Sequence, residues 1–214
     1  MKLFSYWRLS AAYRVRIALN LKRIDYEQVP KDLVRDTGEQ NNPAYLALNP
    51  QGLVPAIQHD GKVFSQSLAI IEYLDELYPD PPLLPAGPGP RASVRSMALH
   101  IACEIHPLNN LRVLQYLRGT MDQDEAAVSE WYKYWIAKGF SGLEKQFESF
   151  SRGKFCYGDQ VSMADVCLVP QVYNAERFNC DISGYSRLQK IVEHLRALRP
   201  FAEAAPERQP DAPS

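Results

Sequence analysis

The sequence predicts a fold of two classes in series. A small α/β domain covers residues 1–80, a proline-rich linker covers 81–90, and an all-helical domain covers 91–214. Three observations predict this. The hydrophobic period alternates between strand and helix values up to residue 78. The stretch YPDPPLLPAGPGP, residues 78–90, holds six prolines and two glycines, which neither a helix nor a central strand sustains. Beyond residue 90 no strand pattern returns.

The elements follow in order. Residues 1–7 read as a strand, and residues 10–21 as a helix with Val15, Ala18 and Leu19 on one side. Residues 26–29 form a short second strand, and a short helical piece lies near 40–46. Residues 53–57 and 62–65 are two strands joined at Asp60-Gly61, a strong hairpin signal. Residues 67–78 read as a helix, with Ile70, Tyr73, Leu74 and Leu77 at i, i+3, i+4 and i+7. The order, βαβ then ββα, is that of a thioredoxin-like unit.

In the second part, residues 91–118 read as helical with Pro107 inside. Residues 124–150 form a long amphipathic helix, with Val128, Tyr132, Trp135, Leu143, Phe147 and Phe150 tracking one face. A further helix starts at Met163 and another covers about 186–198. The end, PERQPDAPS, reads as frayed. The run from Val161 to Val166 reads as a capping box, with Ser162 as cap, Asp165 reaching back to the Ser162 amide and Val161 packed on Val166. Asp165 is therefore assigned a structural rather than catalytic role. The run Val166-Cys167-Leu168-Val169 is apolar all round, which predicts a buried helix.

Composition excludes several function classes. With 24 basic and 25 acidic side chains the formal charge is -1, so no domain-wide cationic surface offers itself to nucleic acid. No segment approaches 18 consecutive apolar residues, which argues against a membrane span. The N-terminus, MKLFSYWRLS, lacks the apolar stretch of a secretory signal, and a cytoplasmic location is expected. Cys103, Cys156, Cys167 and Cys180 form no CxxC pair, and the four histidines are dispersed. Reduced thiols and no metal site are expected.

Segments from both parts then converge. SYWRLSAAYRVRIAL (5–19), LNPQGLVPAI (48–57), FSQSLAIIEYL (64–74), RASVR (91–95), IHPLNN (105–110), GDQVSMADVCLVPQVYNAERF (158–178) and RQPD (208–211) resemble, in order and at family spacing, the zeta-class glutathione transferases, and among them the maleylacetoacetate and maleylpyruvate isomerases. The resemblance implies the glutathione transferase fold and a homodimer. It implies glutathione as cofactor for the cis–trans isomerisation of a small unsaturated dicarboxylate. Two other activities stay open: conjugation or dehalogenation of α-halo acids, and a glutathione-fold binding protein without catalysis.

The resemblance also assigns residues. Gln66 and Ser67 would hold the γ-glutamyl carboxylate at a helix start, where amides and the helix dipole favour an anion. Val54 would pair with the cysteinyl unit through a backbone turned out by a cis bond to Pro55. Gln40 and Gln51 fall near the glycyl end. His106 and Asn110, four apart and read as sharing a helix face, match positions that contact glutathione. Ser10 is the hydroxyl nearest the sulfur, where hydrogen bonds and the helix dipole would hold a thiolate. It could equally be a plain helix cap. Here the chain departs from the family pattern of two serines and a cysteine: Leu9-Ser10-Ala11 stands instead. Tyr13 reads as packing, and Arg14 and Arg16 as structural. Arg8, Arg112 and Arg177 would grip the substrate carboxylates, which guanidinium groups match with two parallel donors.

Overall fold

The computed structural model describes residues 1–35 and 38–213. Contacts gather the chain into two compact units, Met1–Leu83 with Leu198–Ser214, and Leu84–Ala197.

In the first unit, β1 (Lys2–Ser5), β2 (Glu27–Pro30), β3 (Ala56–His59) and β4 (Lys62–Ser65) form one sheet in the order β2-β1-β3-β4. β1 and β2 are parallel, joined by the crossover helix α1 (Ser10–Leu21); β3 runs antiparallel to β1 and to β4. The Asp60-Gly61 turn closes the β3–β4 hairpin with φ values of 48° and 74°. Two successive positive values are what a right-twisted two-residue hairpin requires, and Asp-Gly supplies them at low steric cost. α2 (Pro43–Leu46) is capped by the Asn42 side chain, and α3 (Ser67–Leu77) follows β4. α1 is buried from Ala12 to Leu19 on every side, arginines included, so it is a core helix and not the one-sided helix the period suggests.

β4 has the expected limits and β2 the expected length, but the first and third strands are shorter than expected. The first stops at Ser5, because the chain then turns through residues 6–9 into α1. The third starts at Ala56, past the cis Val54–Pro55 bond that resemblance implied.

The C-terminal segment belongs with this unit, unlike the expected 91–214 grouping, and it is not frayed. α9 (Arg199–Ala204) packs along α1 through Arg16 Nε donating to the Ala204 carbonyl (3.1 Å) and Asn20 Nδ2 to that of Pro200 (3.0 Å). The Gln209 carboxamide donates to the carbonyls of Glu203 and Ala205, and its side chain is buried. Backbone carbonyls of the segment thus accept from α1 side chains, and the buried Gln209 side chain ties it to the end of α9, which anchors a segment whose composition alone reads as loose.

In the second unit, α4 already begins at Pro88 (Pro88–Leu99), inside the stretch read as linker. Proline at the first helical positions needs no amide partner, so it starts a helix as readily as it stops one. The expected helix over 91–118 is broken by Pro107. Its ring excludes an α-helical carbonyl four residues back and it donates no amide. The chain widens into a π turn at His100–Ile105 and tightens into a 3-10 turn at His106–Asn109 before α5 (Leu111–Gly119). α6 (Glu125–Phe150) lies so close to the π turn that a Cβ at Gly139 would overlap the Ile105 side chain. α7 (Met163–Arg177) is buried from Met163 through Val172, as its all-apolar start predicts, and α8 (Ser186–Arg196) follows. Asp165 has the structural role assigned to it. Its carboxylate accepts from the Ser162 amide (2.8 Å) and hydroxyl (2.7 Å) and from the Cys156 amide (2.7 Å). Full burial raises its pKa, against those bonds.

Candidate functional site

The first unit presents two helix starts. At α3, Gln66 occupies the cap position with φ 70° and ψ 114°, an uncommon backbone for a residue with a Cβ. Ser67 is therefore the first helical residue, not the cap. Ser67 is 7% exposed, and its hydroxyl oxygen accepts from Nη1 of the buried Arg14 at 3.3 Å. With a lone pair so engaged, the hydroxyl proton points elsewhere. The first amides of the helix, lacking partners within it, add to a positive end backed by a buried guanidinium. Gln66 Nε2 donates to Gln51 Oε1 at 2.8 Å, which brings two of the sequence-predicted residues into one group. Arg14, read as structural, thus also underlies this site.

Gln40 lies close by. A Cβ at Gly52 would approach the Gln40 carbonyl at 3.6 Å. The Gln40 side chain folds over Gly38, and its Oε1 is buried without a hydrogen-bond partner among the described residues. Val54 is 7% exposed, and strand pairing starts only at Ala56, so the peptide at Val54 stands outside the ladder. A backbone edge, an orphaned amide oxygen and an anion-seeking helix start form a donor and acceptor set that fits a γ-linked tripeptide.

At α1 the cap position is Leu9, extended and without a side-chain cap; Ser10 is the first helical residue and 1% exposed. The reading of Ser10 as a plain cap is corrected: the turn is set by the Leu9 amide donating to the Tyr6 carbonyl (3.1 Å), which leaves Leu9 outside the helix. Tyr13 is buried with its hydroxyl 3.4 Å from the Phe201 carbonyl, a packing role.

Arg8, half-buried, lies in a cleft of about 510 Å³ with Tyr6, Trp7, Asp32, Arg35 and Asp211 on its walls. Its guanidinium sits 5.4 Å from the Trp7 ring centre and 5.7 Å from that of Tyr6, within cation–π range. Asp32 forms the opposite rim as a turn: its Oδ1 accepts from the Val34 and Arg35 amides, which holds its pKa below the ordinary value.

The second unit carries the other candidates. His106 and Asn110 do not share a helix face, because the 3-10 turn after Pro107 intervenes. Asn110 is the cap of α5; its Oδ1 accepts from the Arg112 amide at 3.2 Å, and Arg112 is exposed. Arg177 ends α7, exposed, with its guanidinium 4.8 Å from the Phe178 ring centre. Phe178 stacks on Tyr132 at 3.9 Å. The Tyr132 hydroxyl is buried with no hydrogen-bond partner among the described residues; burial raises its pKa, and the Arg177 charge offsets part of that. Tyr132 was read only as one point of an apolar stripe. A tyrosine on a core face of α6 was the available signal, since its hydroxyl demands a partner that apolar neighbours do not supply.

A βαβ-ββα unit with a cis-proline before its third strand, followed by helices, is the architecture of a glutathione transferase, and the model of the glutathione S-transferase N-terminal domain matches residues 5–82. The chain is 52% identical over 210 residues to the probable maleylacetoacetate isomerase of Vibrio cholerae, covering 98% of this chain and 97% of that one. It matches the holo structure of a bacterial zeta-class maleyl pyruvate isomerase with a TM-score of 0.96 at 43% identity, over 100% of both chains. The maleylacetoacetate isomerase of Methylobacterium extorquens AM1, solved with bound malonate and GSH, matches with a TM-score of 0.95 at 42% identity, again over 100% of both. The chain belongs to the maleylacetoacetate isomerase family of zeta-class glutathione transferases.

Proposed function

We propose that this protein is a glutathione-dependent cis–trans isomerase of a maleyl keto acid, turning maleylacetoacetate into fumarylacetoacetate or maleylpyruvate into fumarylpyruvate in aromatic-compound or tyrosine breakdown. The observation that carries it is the start of α3, where Ser67 rests on a buried Arg14 beside the linked pair Gln66–Gln51, in a chain that aligns end to end with isomerases. No helix of the described residues is long and apolar enough to cross a membrane. A cytoplasmic homodimer goes with the reading.

When bound, glutathione supplies a thiolate that adds reversibly to the conjugated double bond, so that the bond can rotate and the tripeptide is recovered. The protein's residues make that possible. Ser67 and the α3 amides hold the γ-glutamyl carboxylate, the Val54 backbone next to Pro55 pairs with the cysteinyl unit, and Gln40 and Gln51 flank the glycyl end. His106 and Asn110 add contacts from the helical part. Ser10 and the first amides of α1 stabilise the sulfur; with Leu9 and Ala11 in place of the family's serine and cysteine, Ser10 is the side chain left for this task. Arg8, Arg112 and Arg177 neutralise the substrate carboxylates and the negative charge that builds on the keto oxygen, an electrostatic contribution that grows as water is excluded.

Maleylacetone and dichloroacetate, each mixed with the purified protein and glutathione, test this. Formation of the trans isomer with no loss of glutathione is expected. No reaction of maleylacetone, or conjugation of dichloroacetate alone, would overturn the proposal. Arg177→Ala is expected to lower kcat/KM for maleylacetone about tenfold or more while leaving glutathione binding within about twofold; equal loss of both would remove Arg177 from the substrate set.

A further inference from the structure

The peptide of Trp7, directly before Arg8, is gripped at both ends. Its amide donates to Asp211 Oδ2 at 2.9 Å, across 204 residues of chain. Its carbonyl accepts from Arg16 Nη2 at 2.8 Å. The two grips are themselves braced. Asp211 Oδ1 accepts from Gln28 Nε2 at 3.0 Å, which ties the C-terminal segment to β2. Arg16, fully buried, also donates to Ser5 Oγ (3.2 Å) and to the Ala204 carbonyl (3.1 Å). Gln209 anchors the segment just before Asp211 to the end of α9. Asp211 and Pro213 also form part of the cleft wall that faces Arg8.

Residues 6–9 have no strand or helix of their own to hold them. They link the end of β1 to the start of α1, so their path sets two things at once: where Arg8 projects and where α1 begins. A flexible link here would let a guanidinium with several rotatable bonds wander, and misplacement by about 1 Å can cost on the order of a hundredfold in rate. Backbone clamped by one buried cation and one carboxylate fixes where that side chain starts, and so narrows the space its end can reach. The carboxylate is well chosen, since an ionised acceptor binds a backbone amide more strongly than a neutral one. Its negative charge also lies near Arg16, whose pKa burial lowers to about 10 while Tyr26, Tyr13, Asp211 and Glu207 pull it back up.

We infer that Asp211 is a positioning residue of the active site: through the Trp7 amide it fixes the 6–9 turn, and so holds Arg8 where it meets the substrate carboxylate. The last residues of the chain are thereby a working wall of the cleft. The inference rests on the reading of Arg8 as a carboxylate-binding group.

The test compares Asp211→Ala, Asp211→Asn and Arg8→Ala with the unaltered protein. KM and kcat for maleylacetone, KM for glutathione, malonate affinity by calorimetry in the presence of glutathione, and Tm are measured for each. Asp211→Ala is expected to raise both KM for maleylacetone and Kd for malonate about tenfold, with KM for glutathione changed less than about twofold. Asp211→Asn keeps an acceptor oxygen of the same reach, and is expected to restore most of the loss. A Tm drop shared by Asp211→Ala and Asp211→Asn, with malonate affinity unchanged in both, would mean a merely structural strap and overturn the inference. If Arg8→Ala weakens malonate and Asp211→Ala does not, the inference alone fails. If Arg8→Ala leaves malonate binding unchanged, the reading of Arg8 fails first.

Discussion

The two units hold their candidate groups in opposite ways. In the first, the candidate groups are backbone and buried side chains: the Val54 peptide, the α3 amides, Ser67 on Arg14, and the Trp7 peptide between Arg16 and Asp211. In the second, the candidate cations Arg112 and Arg177 are exposed, on long flexible stems at the ends of helices. Buried groups in fixed geometry suit a ligand that is always the same. Arginines at the surface suit a small acid that differs between family branches. On the proposed roles, the difference is one of mounting: the cofactor groups and Arg8 are carried by braced backbone and core side chains, while the other two substrate arginines stand at the surface.

The largest expected effect tests the rigid side. Ser67→Ala removes a hydroxyl that would donate to a charged carboxylate, a bond worth about 1.5–3 kcal/mol. Glutathione affinity by calorimetry is expected to fall roughly tenfold or more, with little change in the maleylacetone KM at saturating glutathione. A fall in both to the same degree would break the proposed division of labour.

The next effect concerns the core of the second unit and is read by pH. Burial raises the Cys156 thiol well above its ordinary value of 9.0, with the Asp165 carboxylate adding to the rise. Above that ordinary value the unfolded chain loses the proton while the folded chain keeps it. The folded state then binds more protons, so stability present at neutral pH falls as pH rises. Tyr26 and Tyr45 in the first unit shift upward too and act in the same sense near pH 10. Tm is expected to drop as pH rises above about 9, and Cys156→Ala is expected to flatten the drop. An unchanged slope in the variant would remove Cys156 as a cause.

The smallest effect separates capping from binding. Asn110→Ala removes the cap of α5, at a cost of about 1 kcal/mol in stability. If capping is its whole task, glutathione KM stays unchanged while Tm falls by a few degrees. On the proposed reading KM rises as well, and an unchanged KM beside the Tm loss would remove Asn110 from the cofactor site.

These cases also mark what could be read from the chain. The limits of α1, the Asp-Gly hairpin, α6 and the Ser162–Asp165 cap are local in sequence, so spacing and residue type reveal them. The cis Val54–Pro55 bond left no local signal, and only resemblance implied it. The partners of Ser67, Trp7 and Tyr132 lie far away in sequence, on elements whose packing no period records. Asn110 looked like a helix-face partner of His106 because Pro107 was given a kink and not a full break.

By itself the sequence determined the order of elements, the division into an α/β part and a helical part, and a family with its chemistry. Each of these is written in side-chain period, turn residues and short motifs. Only the tertiary structure decided that a seemingly frayed end is a fastened wall of the cleft, and that Arg14 and Arg16 lie beneath Ser67 and the Trp7 peptide. The reason is physical: a buried polar group needs a partner, and which partner it finds depends on the whole chain having folded.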